Sequence, residues 1–160
     1  MDILVEDALV SIRNNGNYVC HQSEVGRRLV QFYEAGLPIL TPYGFEFLAQ
    51  NSLDNRELRT IAEQILGQPY WTFNKGYRNI LPRGYTFSFH SGPTLRSLVF
   101  QLCSPGSTVV LRERSHLHTF EEEDIDKKVS KEWGLIAVHD SCLENLDMPE
   151  RQITLEEGGL

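Results

Sequence analysis

The sequence predicts an α+β fold in which N-terminal helices pack on a partial antiparallel β-barrel. Three observations predict it. Apolar residues recur at helical spacing through the first part of the chain, up to Leu66. After Pro69 the period changes to two, the alternation of a strand with one buried face. From there onward, glycine- and proline-bearing breaks separate short apolar runs, which is the punctuation of a small β-sandwich or barrel. At 160 residues the expectation is one domain, with a helical segment over residues 1–67 and a β-rich barrel part over residues 68–160.

The helical elements follow in order. Ile3, Leu4, Ala8, Leu9 and Ile12 share a face over residues 2–13, and Asn14-Asn15-Gly16-Asn17 stops that helix. Ser23 is the expected cap of a second helix, with Val25, Leu29, Val30 and Phe32 on one side and Gly36 at its end. Residues 37–43 read as a bend, and residues 44–50 as a short apolar piece of either type. Residues 54–66 give the clearest helix. Leu58, Ile61, Ala62, Ile65 and Leu66 follow the i, i+3, i+4, i+7, i+8 pattern, Gly67 suits a left-handed cap, and Pro69 blocks continuation.

The β-half is expected to be mainly antiparallel strand over residues 70–118 and 134–155. Tyr70-Trp71-Thr72-Phe73 is β-prone. Lys75-Gly76 and Arg83-Gly84 turn, and residues 85–90 alternate large and small side chains. Ser91-Gly92-Pro93 breaks that run, residues 95–103 are almost continuously apolar, and Thr108-Val109-Val110-Leu111 is a further strand. Residues 121–131 read as a charged insertion, looped or helical. Residues 134–138 and 152–155 are the last strands.

Charge and cysteine content narrow the function classes. The formal net charge is −7, which repels a phosphate backbone and argues against nucleic-acid binding. No apolar run approaches the roughly 18 residues of a membrane span. Three cysteines without a Cys-x-x-Cys pair fit a reducing compartment. The acidic start, Met1-Asp2-Ile3-Leu4-Val5-Glu6-Asp7, resembles neither a signal nor a transit peptide. A cytoplasmic location is the expectation.

His116-Leu117-His118 is the sharpest local feature. On a strand, residues two apart share a face, so two imidazoles there can bind one divalent metal, with Glu122 or Glu123 completing a two-histidine, one-carboxylate set. The plainer alternative is a polar pair at a rim. His90 ends an alternating strand and reads equally as a hydrogen-bonded strand-end residue. His139-Asp140 and His21 carry weaker signals, and neither Cys103 nor Cys142 has the basic neighbours of a nucleophile. Lys75, Arg78 and Arg83 are interleaved with Tyr70, Trp71, Phe73, Tyr77 and Tyr85, a set that can line a pocket for an anionic, partly apolar small molecule or form a solvated rim. The expected ligand site therefore lies inside the β-half, near His90, Arg78, Arg83 and Tyr85. Period-two spacing puts Tyr85, Phe87 and Phe89 on one face and Thr86, Ser88 and His90 on the other. No cofactor is expected apart from a divalent metal at His116, His118 and Glu122. No Gly-x-Ser-x-Gly, phosphate loop or dinucleotide fingerprint occurs.

The order of these pieces carries a resemblance over residues 55–160. A helix ends in Ile65-Leu66-Gly67, a strand ends in His90, an apolar strand leads through Thr108-Val109-Val110 to Arg114-Ser115-His116, and Ile153-Thr154-Leu155-Glu156-Glu157-Gly158-Gly159 closes the series. This looks like the phytanoyl-CoA dioxygenase family, within the double-stranded β-helix or cupin class. It is also similar to small fungal proteins of that kind, some of which accompany specialised-metabolite pathways. The resemblance implies a barrel, Fe(II) and 2-oxoglutarate. Residue by residue it carries over only His90 of the metal triad. Where the family has His-x-Asp, this chain has His90-Ser91-Gly92, and Gly159 stands at the aspartate of the family's Gly-Asp turn. His116 matches a Gly-Ser-His segment that does not bind the metal in the family. The second metal histidine and the arginine for 2-oxoglutarate have no counterpart before Leu160. The resemblance thus implies a degenerate oxygenase-like barrel that binds a small organic molecule, with a non-redox step in specialised metabolism as its role. Two alternatives stand beside it. One is a metal-dependent cupin-type enzyme or iron/2-oxoglutarate oxygenase. The other is a non-catalytic module that completes its barrel with a partner, as a homodimer through an exposed strand edge.

Overall fold

Three of the four helices at the front of the chain begin or end at a residue whose chemistry suits that place. In the computed structural model, which describes residues 4–36, 38–68, 82–144, 146 and 148–160, α1 spans Val5–Asn15 and ends at Gly16. That glycine sits at φ 83° and returns its N–H to Ile12 O at 3.0 Å. α2 spans Ser23–Glu34. Its N-cap is Gln22 rather than the expected Ser23, and no side chain caps it. α3 spans Pro42–Asn51, so the segment that the sequence left open between helix and strand is helical. Thr41 caps it by accepting from Gly44 N, and Pro42 occupies the first turn, where a missing N–H costs nothing. α4 spans Arg56–Leu66, capped by Asn55 Oδ1 on Leu58 N at 3.0 Å and ended by Gly67 at φ 76°.

Three apolar clusters hold the chain together. α1 and α4 bury Ala8, Leu9, Ile12, Leu58 and Ile61 with Cys20, and Leu98, Phe100 and Leu160 pack against them. Leu29, Phe32 and Phe47 join α2 to α3, with the Phe32 and Phe47 rings stacked at 4.5 Å. Phe120, Val138, Leu143 and Met148 form the third cluster at the other end.

The β-half is more sparsely paired than the sequence predicts. β1 (Tyr85–Ser88) pairs antiparallel with β3 (Ile136–His139), matching Tyr85 to His139 and Ser88 to Ile136. β2 (Ser107–Arg112) pairs antiparallel with β4 (Glu150–Leu155), matching Ser107 to Leu155 and Arg112 to Glu150. Among the described residues these two ribbons are the sheets, and they do not close a barrel. α5 (Lys127–Trp133) and α6 (Asp140–Leu143) flank β3, so the charged insertion is helical in its second half.

Residues 95–102, expected as a strand, join no ladder. Their apolar side chains pack on the helices instead, Leu98 and Phe100 in the first cluster and Leu102 in the α2–α3 cluster. Residues 115–117 form a 3₁₀ turn, entered through Arg114 at φ 67°, where a continued strand was expected. The expected strand at Tyr70-Trp71-Thr72-Phe73 lies outside the described residues.

Arg112 ties the two ribbons together. Its guanidinium lies 2.8 Å from Glu150 on β4 and 3.9 Å from Asp140, the first residue of α6 after β3, and Thr86 on β1 donates to the same Asp140 at 2.8 Å. A different device joins the helical half to the β-half. Gly158, Gly159 and Leu160 run between two other segments. Leu160 exchanges backbone hydrogen bonds with Cys20, and Gly159 does so with Cys103.

Candidate functional site

β2 and β4 alternate as half-buried strands do. Val109, Leu111, Ile153 and Leu155 turn inward, while Thr108, Val110, Gln152 and Thr154 are exposed. The inward face does not meet a second sheet. It faces α1 and α4 across the segment that carries Leu95, Leu98 and Phe100. The space left among these elements is a cavity of about 350 Å³, partly open, with Ile12, Leu58 and Ile61 on its helical side. That volume lies at the small end of ligand pockets.

A few polar groups interrupt the apolar lining, and among the described residues three of their atoms are buried without a hydrogen-bond partner: His90 Nε2, His116 Nδ1 and Asn17 Oδ1. Buried polar atoms are rarely left unpaired, because stripping water from one costs about 1–3 kcal/mol. All three residues border the same cavity.

His90 is held between two serines. Ser88 Oγ donates to the His90 carbonyl at 2.6 Å, and Ser97 Oγ lies 3.0 Å from Nδ1. His116 is held from the other side. Its Nε2 lies 3.1 Å from Arg13 O. A carbonyl can only accept, so Nε2 carries the proton, and Nδ1 of the neutral ring is an acceptor. A methyl at Gly16 would sit 2.4 Å from that Nδ1. Gly16 therefore serves twice, once for its left-handed φ and once for the space it leaves the imidazole.

Of the residues expected at a ligand site, His90 lines the cavity. Arg83 is exposed at the turn before β1 and does not border it. Tyr85 turns away as well. Its hydroxyl donates to Asp126 Oδ2 at 2.9 Å, and its ring meets His139 edge-on at 5.1 Å. Arg78 lies outside the described residues. The cavity also differs in placement from the expected one, since it lies between the helices and the β-half and not within the β-half. Asn17, Cys20 and Ser97 border it too, and single asparagines and serines carry no periodic signal that would have marked them.

The expected metal set of His116, His118 and Glu122 is not gathered. The same-face argument required a strand, and the 3₁₀ turn over Ser115–Leu117 removes it. His116 borders the cavity, whereas the His118 ring packs on Phe120 at 5.0 Å and Glu122 pairs with Lys127 at 2.7 Å on the surface. Among the described residues no three His, Cys, Asp or Glu side chains stand where they could hold one metal ion. His139 caps α6 through Nδ1, which accepts from Ser141 N, and so has a local role. Burial pushes the Cys103 thiol up, which keeps it protonated and unreactive.

The Fe(II) centre that the family resemblance implies does not fit these residues. Among the described residues no group of three His, Cys, Asp or Glu that includes His90 could hold the ion. Gly92, in the place of the carboxylate ligand, sits at φ 97°, and even a methyl there would come within 3.3 Å of Thr119 Oγ1. A side chain at Gly159 would begin 2.2 Å from Cys20 O, so the aspartate of the family's turn has no room.

No protein-family model, curated protein or solved structure matches the chain. No helix among the described residues is long and apolar enough to cross a membrane.

Proposed function

We propose that the chain binds a small, predominantly apolar organic molecule in the cavity between α1, α4 and the β2–β4 ribbon. The observation that carries this reading is the pairing of an apolar lining with buried polar atoms that lack partners, His90 Nε2 above all. Apolar walls supply affinity at about 25 cal/mol per Å² removed from water, and a few polar groups set the orientation. The donor set supports binding without metal redox chemistry. The likeness to the oxygenase barrels agrees with a small-molecule role and remains a proposal, since two separate ribbons replace the barrel.

A neutral environment-sensitive fluorophore, N-phenyl-1-naphthylamine, tests the cavity directly. Saturable binding is expected, and Val109→Trp, which fills the space beside Ile153, is expected to weaken it by at least about tenfold with the circular dichroism spectrum unchanged. Unsaturable binding, or binding indifferent to Val109→Trp, refutes the reading.

Pairing of two copies is a second proposal, favoured by one observation. β2 and β4 each have a single ladder partner among the described residues, and Val110 between them is exposed. A mass that doubles with concentration in light scattering supports it, and a monomer mass throughout refutes it.

A further inference from the structure

The chemistry of the bound molecule is written in the protons around His90. Ser97 Oγ lies 3.0 Å from His90 Nδ1, and that contact is the one hydrogen bond Ser97 makes among the described residues. A serine hydroxyl has one proton to give. If Nδ1–H donated to Ser97, the hydroxyl proton would have no acceptor and Nε2 would be a bare acceptor. If Ser97 donates to Nδ1, every proton of the pair is placed but one, the N–H on Nε2. The second arrangement leaves fewer groups unsatisfied, and on that ground the proton is assigned to Nε2. Nε2 is then a buried donor with no acceptor among the described residues, on an imidazole that borders the cavity.

We infer that the molecule held in the cavity carries a hydrogen-bond-accepting oxygen, a carbonyl, ester or carboxylate, that receives the Nε2–H of His90. This rests on the cavity function proposed above and adds the ligand's class: an apolar body with one oxygen head. Part of the lining suits that body, while the acceptors His116 Nδ1 and Asn17 Oδ1 border the same cavity. Phe87, Leu95, Leu98, Phe100 and Val109 offer the rest of the molecule nothing polar. Ser97 acts as a positioning residue, since it orients the imidazole and holds its proton on the far nitrogen.

Displacement of N-phenyl-1-naphthylamine by decanoic acid, methyl decanoate and decane tests the inference on the full chain. In His90→Leu, the acid and the ester are expected to bind about tenfold more weakly, while decane keeps its affinity. In Ser97→Ala the two oxygenated compounds lose part of that advantage and decane again does not change. The ¹⁵N shifts of the His90 ring in the wild-type protein give a readout independent of any variant's folding. With methyl decanoate bound, Nε2 is expected to be the protonated nitrogen. Equal weakening of all three compounds in His90→Leu, or a proton found on Nδ1 in the complex, overturns the inference while leaving the cavity function standing. Failure of the fluorophore to bind at all removes the cavity function, and this inference with it.

Discussion

Gly26 on α2 and Gly158 near the C-terminus pass so closely that neither has room for a side chain. A Cβ at Gly26 would stand 2.3 Å from Glu157 O, and one at Gly158 would stand 2.6 Å from Gly26 Cα. Both obstacles are backbone, which cannot swing aside as a side chain can. Gly26→Ala is expected to cost about 1–3 kcal/mol in urea denaturation. Combining it with Gly158→Ala is expected to cost less than the sum, because the first methyl already forces the two segments apart. The sequence shows these glycines but not their partner, since a contact between positions 26 and 158 leaves no local pattern. His90 was legible for the opposite reason. It ends a visible alternation, and its position beside a Ser-Gly-Pro break marks a strand end. Ser97 lay inside an apolar run and gave no sign of its bond to His90.

At the level of elements, what can be read locally was read well. α4 has its apolar stripe, its Asn55 cap and its Gly67 stop within one short stretch, and the helix occupies that stretch. β3 and β4 likewise overlap the strands expected over residues 134–138 and 152–155. Residues 95–102 went astray because a continuous apolar run says only that the segment is to be buried. Burial against a helix and burial in a sheet look the same in sequence.

One contact between elements makes a pH-dependent prediction. Tyr85 of β1 donates to Asp126, which also caps α5. The Val129 backbone N–H and the Tyr85 hydroxyl hold the Asp126 carboxyl below its ordinary value, and the bond to Asp126 in turn pushes the Tyr85 phenol up. A depressed carboxylate contributes stability above its unfolded pKa and loses it as pH falls through the folded one. A raised phenol contributes below its unfolded pKa and loses it as pH rises through the folded one. The bond therefore stabilises the protein between the carboxylate and phenol ranges and fails at both ends. Urea midpoints measured across pH are expected to fall less steeply at both limits in Tyr85→Phe than in the wild type. In Asp126→Asn the acid limb should lose the contribution of this carboxyl, and the alkaline limb should flatten as well, because the charge that raises the Tyr85 phenol is gone. Unchanged limbs in both variants would show that the bond does not form in solution.

For the whole molecule, the sequence conveyed an α+β chain with helices first, and that is what forms. It did not convey the placement of the cavity, which depends on how the β2–β4 ribbon faces α1 and α4. The helices and the ribbon each look ordinary alone. The space between them exists because residues 95–102 cross without joining a ladder among the described residues, and such a crossing follows from the balance of all the packing. Filling that space by Val109→Trp is accordingly the variant expected to separate ligand binding from folding.

The threading of Gly158, Gly159 and Leu160 between Cys20 and Cys103 also bears on the order of events during synthesis. The segment that follows α1 is made early, yet its backbone partners come far later in the chain. Until residues 158–160 have left the ribosome, the backbone bonds they form with Cys20 and Cys103 cannot close. α1 and α4 can meet during translation, since both lie early in the chain. The chamber they border can form only afterwards, by a closure that joins Cys20 to Leu160, and contacts of such long range are the slow ones to make.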